Sequence, residues 1–372
     1  MKITAIRVHA IAAPMRVPYI TALVDKREAT SVITEIETDE GVTGYGQAAT
    51  SAAGYAPFEE YQDTIMRVVR ETIAPALIGA DPHDLEWIHE KLGRIARGHL
   101  YAHSTVDLAC HDALARAAGR PVYKLIGGAA RDRIALCAPH LGIIPSKDLA
   151  AQAAGYARDG HRFVNLRVGA DLAQDIENVS AVRAAVGDGV AIAVDFSQSL
   201  TVLGYRGDTA IAHIRALEKA GASAFEQPLA DWDVEGMARI AAAIDAPIIA
   251  DECVRTPQDA MRVVDRRAAD AVKIKLMKVG GFHPARKIAA VLQSAGIPMT
   301  VGNGLAGGIQ NAAEAHFAFS VPNLKLPGEM NGFLRLTEDA LTSPFRTEGG
   351  DLLLPEGPGL GVDVDVARLA RA

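Results

Sequence analysis

From about residue 133 onward, short apolar runs alternate with helical stretches. The runs read RIALCA, RFVNLRV, VAIAVDF, SAFEQPL, PIIADEC, AVKIKLM, IPMTVGN and LKLPGEM. Strands alternating with helices imply a parallel sheet. Eight such units within about 200 residues suggest a (β/α)8 barrel. A doubly wound open sheet is the rival, but it wants a glycine-rich phosphate turn after its first strand, and none follows RIALCA.

The first part of the chain reads differently. Residues 1–49 alternate like antiparallel sheet, and SVITEIETDEGVTGYGQ turns at Asp39-Glu40-Gly41. Residues 58–119 read as helix, with HSTVDLACHDALARAAG starting on a capping-box pattern, Ser104 to Asp107. His103, Asp107 and His111 form one stripe on that helix, without the intervening glutamate of a zinc motif. The expected architecture is α/β: an α+β capping domain (1–128), a modified (β/α)8 TIM barrel (129–335) and a C-terminal segment (336–372) returning to the cap. The net charge of −7 gives no basic footprint for nucleic acid. No apolar run is long enough to span a membrane. Three scattered cysteines form no CxxC pair, which fits a reducing cytoplasm.

Acids recur at barrel spacing. Asp195 ends one strand, Glu226 the next and Asp251 the next, at intervals of 31 and 25 residues. Barrel strand ends converge on one face, and three converging carboxylates need a cation. An all-oxygen set favours Mg²⁺, or Mn²⁺, over zinc. Glu252 alternates away from Asp251 and is expected to face elsewhere. One unit later, Lys273 and Lys275 share one side of a strand. Lys275, nearer the tip, is the candidate general base, with its pKa expected to fall through burial and a nearby cation. Lys273 reads as a partner for a ring carboxylate.

This ordered set resembles the enolase superfamily, in its muconate-lactonizing-enzyme branch (mandelate racemase/muconate lactonizing enzyme family). The likeness runs through ETDEGVTGYGQA, STVDLACHDALARAAGRPVYKLIGG, VDF, FEQPL, ADE, KIKLMKVGG and PGLGVDVD. It implies a capped modified barrel and Mg²⁺ on Asp195, Glu226 and Asp251. It also implies removal of a proton α to a carboxylate through an enediolate, with a small carboxylate substrate and a homo-oligomeric protein. Two departures stand out. The branch usually carries Lys-x-Lys on its second barrel strand, where this chain has Asn165 and Arg167. Arginine is effectively always protonated and is a poor base, so Arg167 is expected to bind substrate or stabilise charge, with Asn165 assisting. The seventh strand, VGNGLAGGI, lacks an acid found in several relatives; Asn303 is expected to contact substrate there, and Glu329 at the eighth strand's tip. Specificity in this family lies in two cap segments, here about 15–28 and 48–57, which nominate Tyr19 and Tyr55. The GYAP loop and the long helix are similar to enzymes acting on proline betaines and hydroxyprolines, which suggests an amino-acid-derived acid. One base suits β-elimination better than racemisation. Racemase, epimerase or cycloisomerase, a Schiff-base aldolase, and a non-catalytic carboxylate binder are the alternatives.

Overall fold

The computed structural model describes residues 1–50, 60–139, 141–169, 171–342 and 345–365. The segment begins with an antiparallel sheet of β1 (Ile3–Ile20), β2 (Asp25–Thr38) and β3 (Thr43–Ala49), in that order. The β2–β3 turn needs Gly41, whose φ is +72°. β3 lies flat on helix Leu100–Ala117. A side chain at Gly44 or Gly46 would drive into the carbonyls of Ala109 or Thr105, so glycine at these alternate positions lets the sheet meet the helix backbone. The helix starts a turn before the expected Ser104 cap. Ser104 and Asp107 are buried inside it, along with every residue from Tyr101 to Ala115.

After β4 (Arg133–Ala135), the barrel is built from β5 (Phe163–Arg167), β6 (Ala191–Asp195), β7 (Ala224–Glu226), β8 (Ile248–Ala250), β9 (Ala271–Ile274) and β10 (Met299–Val301). These six pair in parallel in chain order. Single bridges close the ring: Leu141 to Leu166, Met299 to Leu324, and Leu136 to Gly328. RIALCA and LKLPGEM thus lead into the first and eighth staves, and the fold is a capped, modified TIM barrel. The last part of the chain returns through β11 (Thr347–Glu348) and β12 (Asp351–Leu353), with β12 pairing to β4. It also reaches the helical cap: Val122 N donates to Gly359 O at 2.9 Å, and Leu360 N to Asp112 Oδ1 at 2.8 Å.

The stripe on the long helix serves this assembly. Asp107 is fully buried and accepts from Phe282 N (2.5 Å) and His89 Nε2 (2.8 Å), with His111 also paired to it. Phe282 begins helix Phe282–Ser294 of the barrel, so a carboxylate from the cap occupies that helix's positive end. Gly281 makes room, because a Cβ there would collide with the Asp107 carboxyl. Burial alone would raise the Asp107 carboxyl; His111 and His89 outweigh it and hold it well below the usual range. Removing one partner of such a buried group is costly. Asp107→Ala is expected to cost about 3–5 kcal/mol of stability, read as a fall in the urea midpoint. An unchanged midpoint would show that this contact does not join the two parts.

Candidate active site

Period two along a strand decides which side chains enter the barrel. Ala193, Ala224, Ile249 and Ala271 pack together inside it. Two residues further along come Asp195, Glu226, Asp251 and Lys273, one level nearer the C-terminal mouth, and all four are buried. β6, β7 and β8 are neighbours, with Asp195 opposite Glu226 in register. The structure therefore brings the three predicted acids to adjoining strand ends.

Cations are interleaved with them. Arg167 of β5 is ion-paired with Asp195. Lys273 donates to Glu226 at 2.5 Å and to Glu329 at 2.7 Å. Asp251 is paired with both Lys275 and Lys278, the latter at 2.8 Å. Asn165 donates to Glu226 (3.2 Å) and Glu329 (2.8 Å), so Asn165 and Glu329 sit within the charged cluster. Lys275 stands in the reverse of the expected state. Burial pulls its ammonium down, but Asp251 and Glu252 outweigh burial and hold it well above its ordinary value.

The cluster faces a cavity of about 60 Å³. Arg167 and Lys275 line it, and the strand order puts them on opposite walls, with β6 to β8 between β5 and β9. Tyr19 and Lys26 line it from the capping sheet. The Tyr19 ring centre is 5.2 Å from the Arg167 guanidinium carbon. Asn303 lines it too, with its amide committed to the loop: Oδ1 accepts from Leu305 N (2.5 Å) and Nδ2 donates to Glu314 (3.0 Å). Tyr55 lies outside the described residues. Glu252 also lines the cavity, against expectation. β8 ends at Ala250, so strand alternation does not extend to Glu252 in the turn that follows. Burial, then the Asp251 charge, push its carboxyl up to about 7.

Two residues outside the sequence reading hold this mouth in shape. Lys278, on the short helix Leu276–Val279, also donates to Lys273 O at 3.0 Å. Gln227 accepts from Asp251 N at 2.8 Å, fixing the tip of β8. The backbone is left-handed at Ser197, Gln198, Gln227 and Leu305, which all follow barrel strand ends. Strain of this kind gathers where a site over-determines the chain.

The donor set suits a hard divalent cation: three carboxylates and no sulfur or imidazole. Glu226 Oε1 is buried without a hydrogen-bond partner, a free donor on the middle strand of the three. As the side chains stand, each acid leans on its own cation. Among the described residues no group of three His, Cys, Asp or Glu side chains is gathered closely enough to hold a metal ion. Holding one ion between the three therefore requires side-chain movement at this mouth, with Glu226 Oε1 already free of Lys273.

A capped barrel with acids on three successive strand ends defines a class of enzyme scaffold, and comparison with known proteins narrows it. The mandelate racemase/muconate lactonizing enzyme N-terminal domain matches residues 2–127, and the enolase C-terminal domain-like family matches residues 148–368. The chain belongs to the mandelate racemase/muconate lactonizing enzyme family of the enolase superfamily. It is 32% identical to an N-succinyl-L-Arg/Lys racemase of Bacillus cereus, over 98% of this chain and 96% of the relative. A crystal structure of that racemase superposes with a TM-score of 0.93 at 31% identity, covering 100% and 98% of the two chains. Muconate cycloisomerase 1 of Rhodococcus opacus is 30% identical, over 98% and 97%. A dipeptide epimerase from Enterococcus faecalis, solved with Mg and the dipeptide L-Leu-L-Tyr, gives a TM-score of 0.89 at 29% identity, covering 97% and 99%.

The pairing of Lys273 with two acids has a measurable consequence. Lys273→Met leaves Glu226 and Glu329 buried without their shared cation and is expected to cost about 3–5 kcal/mol. Adding Glu329→Met should recover part of that loss in chemical denaturation, because the two sites are coupled. Strictly additive effects would contradict the shared pairing.

Proposed function

We propose that this chain removes the proton α to a carboxylate, with Lys275 as the base, and that β-elimination completes the reaction. The observation that carries this reading is the pair of opposite walls: Lys275 on one and, where a second base would stand, Arg167. Its substrate is a small amino-acid-derived or hydroxy acid. Mg²⁺ held by Asp195, Glu226 and Asp251 supplies positive charge where the substrate carboxylate gains negative charge.

The remaining work falls to side chains. Gly302 leaves a trench for the lysine stems; a Cβ there would lie 2.7 Å from Lys273 Cδ and 3.3 Å from Lys275 Cε. Glycine thus lets both lysines lie side by side, with Lys275 at the cavity. To act as the base Lys275 must first leave its ion pair with Asp251 and stand as the free amine. It then takes the α-proton, and the ammonium so formed stands on the same face to protonate a leaving hydroxyl group. The C–H and C–O bonds break, a C=C bond forms and water departs. Arg167 stays protonated and holds negative charge on the opposite wall. The Tyr19 ring lies over Arg167 from the cap, a cation–π contact that steadies the guanidinium.

Racemisation or epimerisation is the second reading. Relatives at 32% identity are named as a racemase and an epimerase, and Lys26 brings an amine to the same cavity from the cap. Proton exchange in D2O separates the two readings. With Mg²⁺ present, one enantiomer of a substrate should exchange its α-proton with retention of configuration, by NMR. Lys275→Ala should slow that exchange by about 10²-fold or more. Interconversion of enantiomers by the wild type would overturn the one-base reading and point to Lys26 or Arg167 as the second base.

A further inference from the structure

A buried line of hydrogen bonds runs from the barrel into the cap. It centres on Glu314, in the helix Gly308–Ser320 that follows β10, and Glu314 is fully buried. Its Oε2 accepts from Asn303 Nδ2 at 3.0 Å, and its Oε1 accepts from Gln310 Nε2 at 2.7 Å. Gln310 lies one turn earlier on the same helix face and is also fully buried.

Each amide has its oxygen engaged elsewhere. Asn303 Oδ1 accepts from Leu305 N at 2.5 Å and from Ala306 N at 3.2 Å. Gln310 Oε1 accepts from Ala49 N, at the end of β3, at 2.8 Å. Gln310 N donates to Gln47 Oε1 at 3.2 Å, and Gln47 Nε2 donates to Ser31 Oγ of β2 at 2.8 Å. Backbone N–H groups at both ends thus turn the two amide nitrogens toward Glu314, and position 314 must accept twice. A carboxyl group can do so, whereas one end of a glutamine side chain only donates. Burial pushes the Glu314 carboxyl up to about 8, with the two amides and Lys275 pulling the other way.

The barrel end of this line reaches the site. Asn303, Gly304 and Leu305 line the cavity beside Lys275, and Leu305 is left-handed, with φ +70°. Gly304 lets this loop lie close to the cap, because a Cβ there would be 3.2 Å from Ala49 Cβ. We infer that Glu314 is a positioning residue that ties the loop 303–306 to the end of β3, so that this wall of the cavity keeps its place against the cap. It acts through Asn303 and Gln310. That role concerns the shape of the cavity and stands whether or not Lys275 is the base.

Hydrogen–deuterium exchange of the whole protein, read by mass spectrometry on peptides covering 303–307 and 46–50, tests it. Glu314→Gln sets an NH2 group against one of the two donors, and should speed exchange in both peptides about tenfold. The long helix Leu100–Ala117 should stay as it is. Adding Asn303→Asp to Glu314→Gln reverses the direction of one bond and restores every donor to an acceptor, so both peptides should return close to wild-type exchange. Gln310→Met breaks the line on the cap side and should release 303–307 as well as 46–50. Exchange unchanged in either peptide of Glu314→Gln overturns the inference. So does a double variant that exchanges like the single one, a Gln310→Met effect confined to 46–50, or equal acceleration in the long helix, which is what a merely structural role would give. Where Glu314→Gln yields no folded protein, a folded double variant supports the positioning role and an unfolded one overturns it.

Discussion

Carboxylates on adjoining strand ends repel, and burial multiplies that repulsion by removing water. Much of the barrel mouth is an answer to this constraint. Asp195, Glu226 and Asp251 come from consecutive strands, and Glu329 is brought against Glu226 by their common partners Lys273 and Asn165. Arg167, Lys273, Lys275 and Lys278 are drawn in between them. Gly302 gives two of those lysines room, and Gln227 pins the loop that carries Asp251. On the proposed reading, a divalent cation would take the place of the Arg167 guanidinium and the Lys275 ammonium on these acids.

Much of this was legible in the sequence because strand periodicity is strict. Ala193 to Asp195, Ala224 to Glu226, Ile249 to Asp251 and Ala271 to Lys273 each step by two residues, so burial of the first implies an inward second. The eight staves and the β2–β3 turn were legible for the same reason. Legibility ended where strands end. Glu252 lies in a turn, where alternation no longer applies, and Lys278 lies on a short helix whose direction no local pattern sets. The Lys275 pKa runs against the expected fall because the acids beside it, Asp251 and Glu252, outweigh burial. Lys26 reaches the cavity through contacts between distant parts of the chain, which periodicity cannot report.

The long helix shows the same division. Its stripe of His103, Asp107 and His111 was visible, but its purpose was not. Asp107 fills the positive end of a barrel helix that begins 175 residues later, at Phe282. That contact fixes the cap on the barrel, and the cap carries Tyr19 and Lys26 over the mouth. The cap that holds Tyr19 and Lys26 over the mouth is thus joined to the barrel through a buried carboxylate.

In the proposed site the three strand-end carboxylates hold one divalent cation once their own cations let go. Crystals of the wild type grown with Mn²⁺, measured at its absorption edge, test this directly. One anomalous peak per chain is expected, bounded by Asp195, Glu226 and Asp251, with Arg167 withdrawn from Asp195. A peak elsewhere, or crystals in which Mn²⁺ leaves the Arg167–Asp195 and Lys275–Asp251 pairs intact, would contradict it.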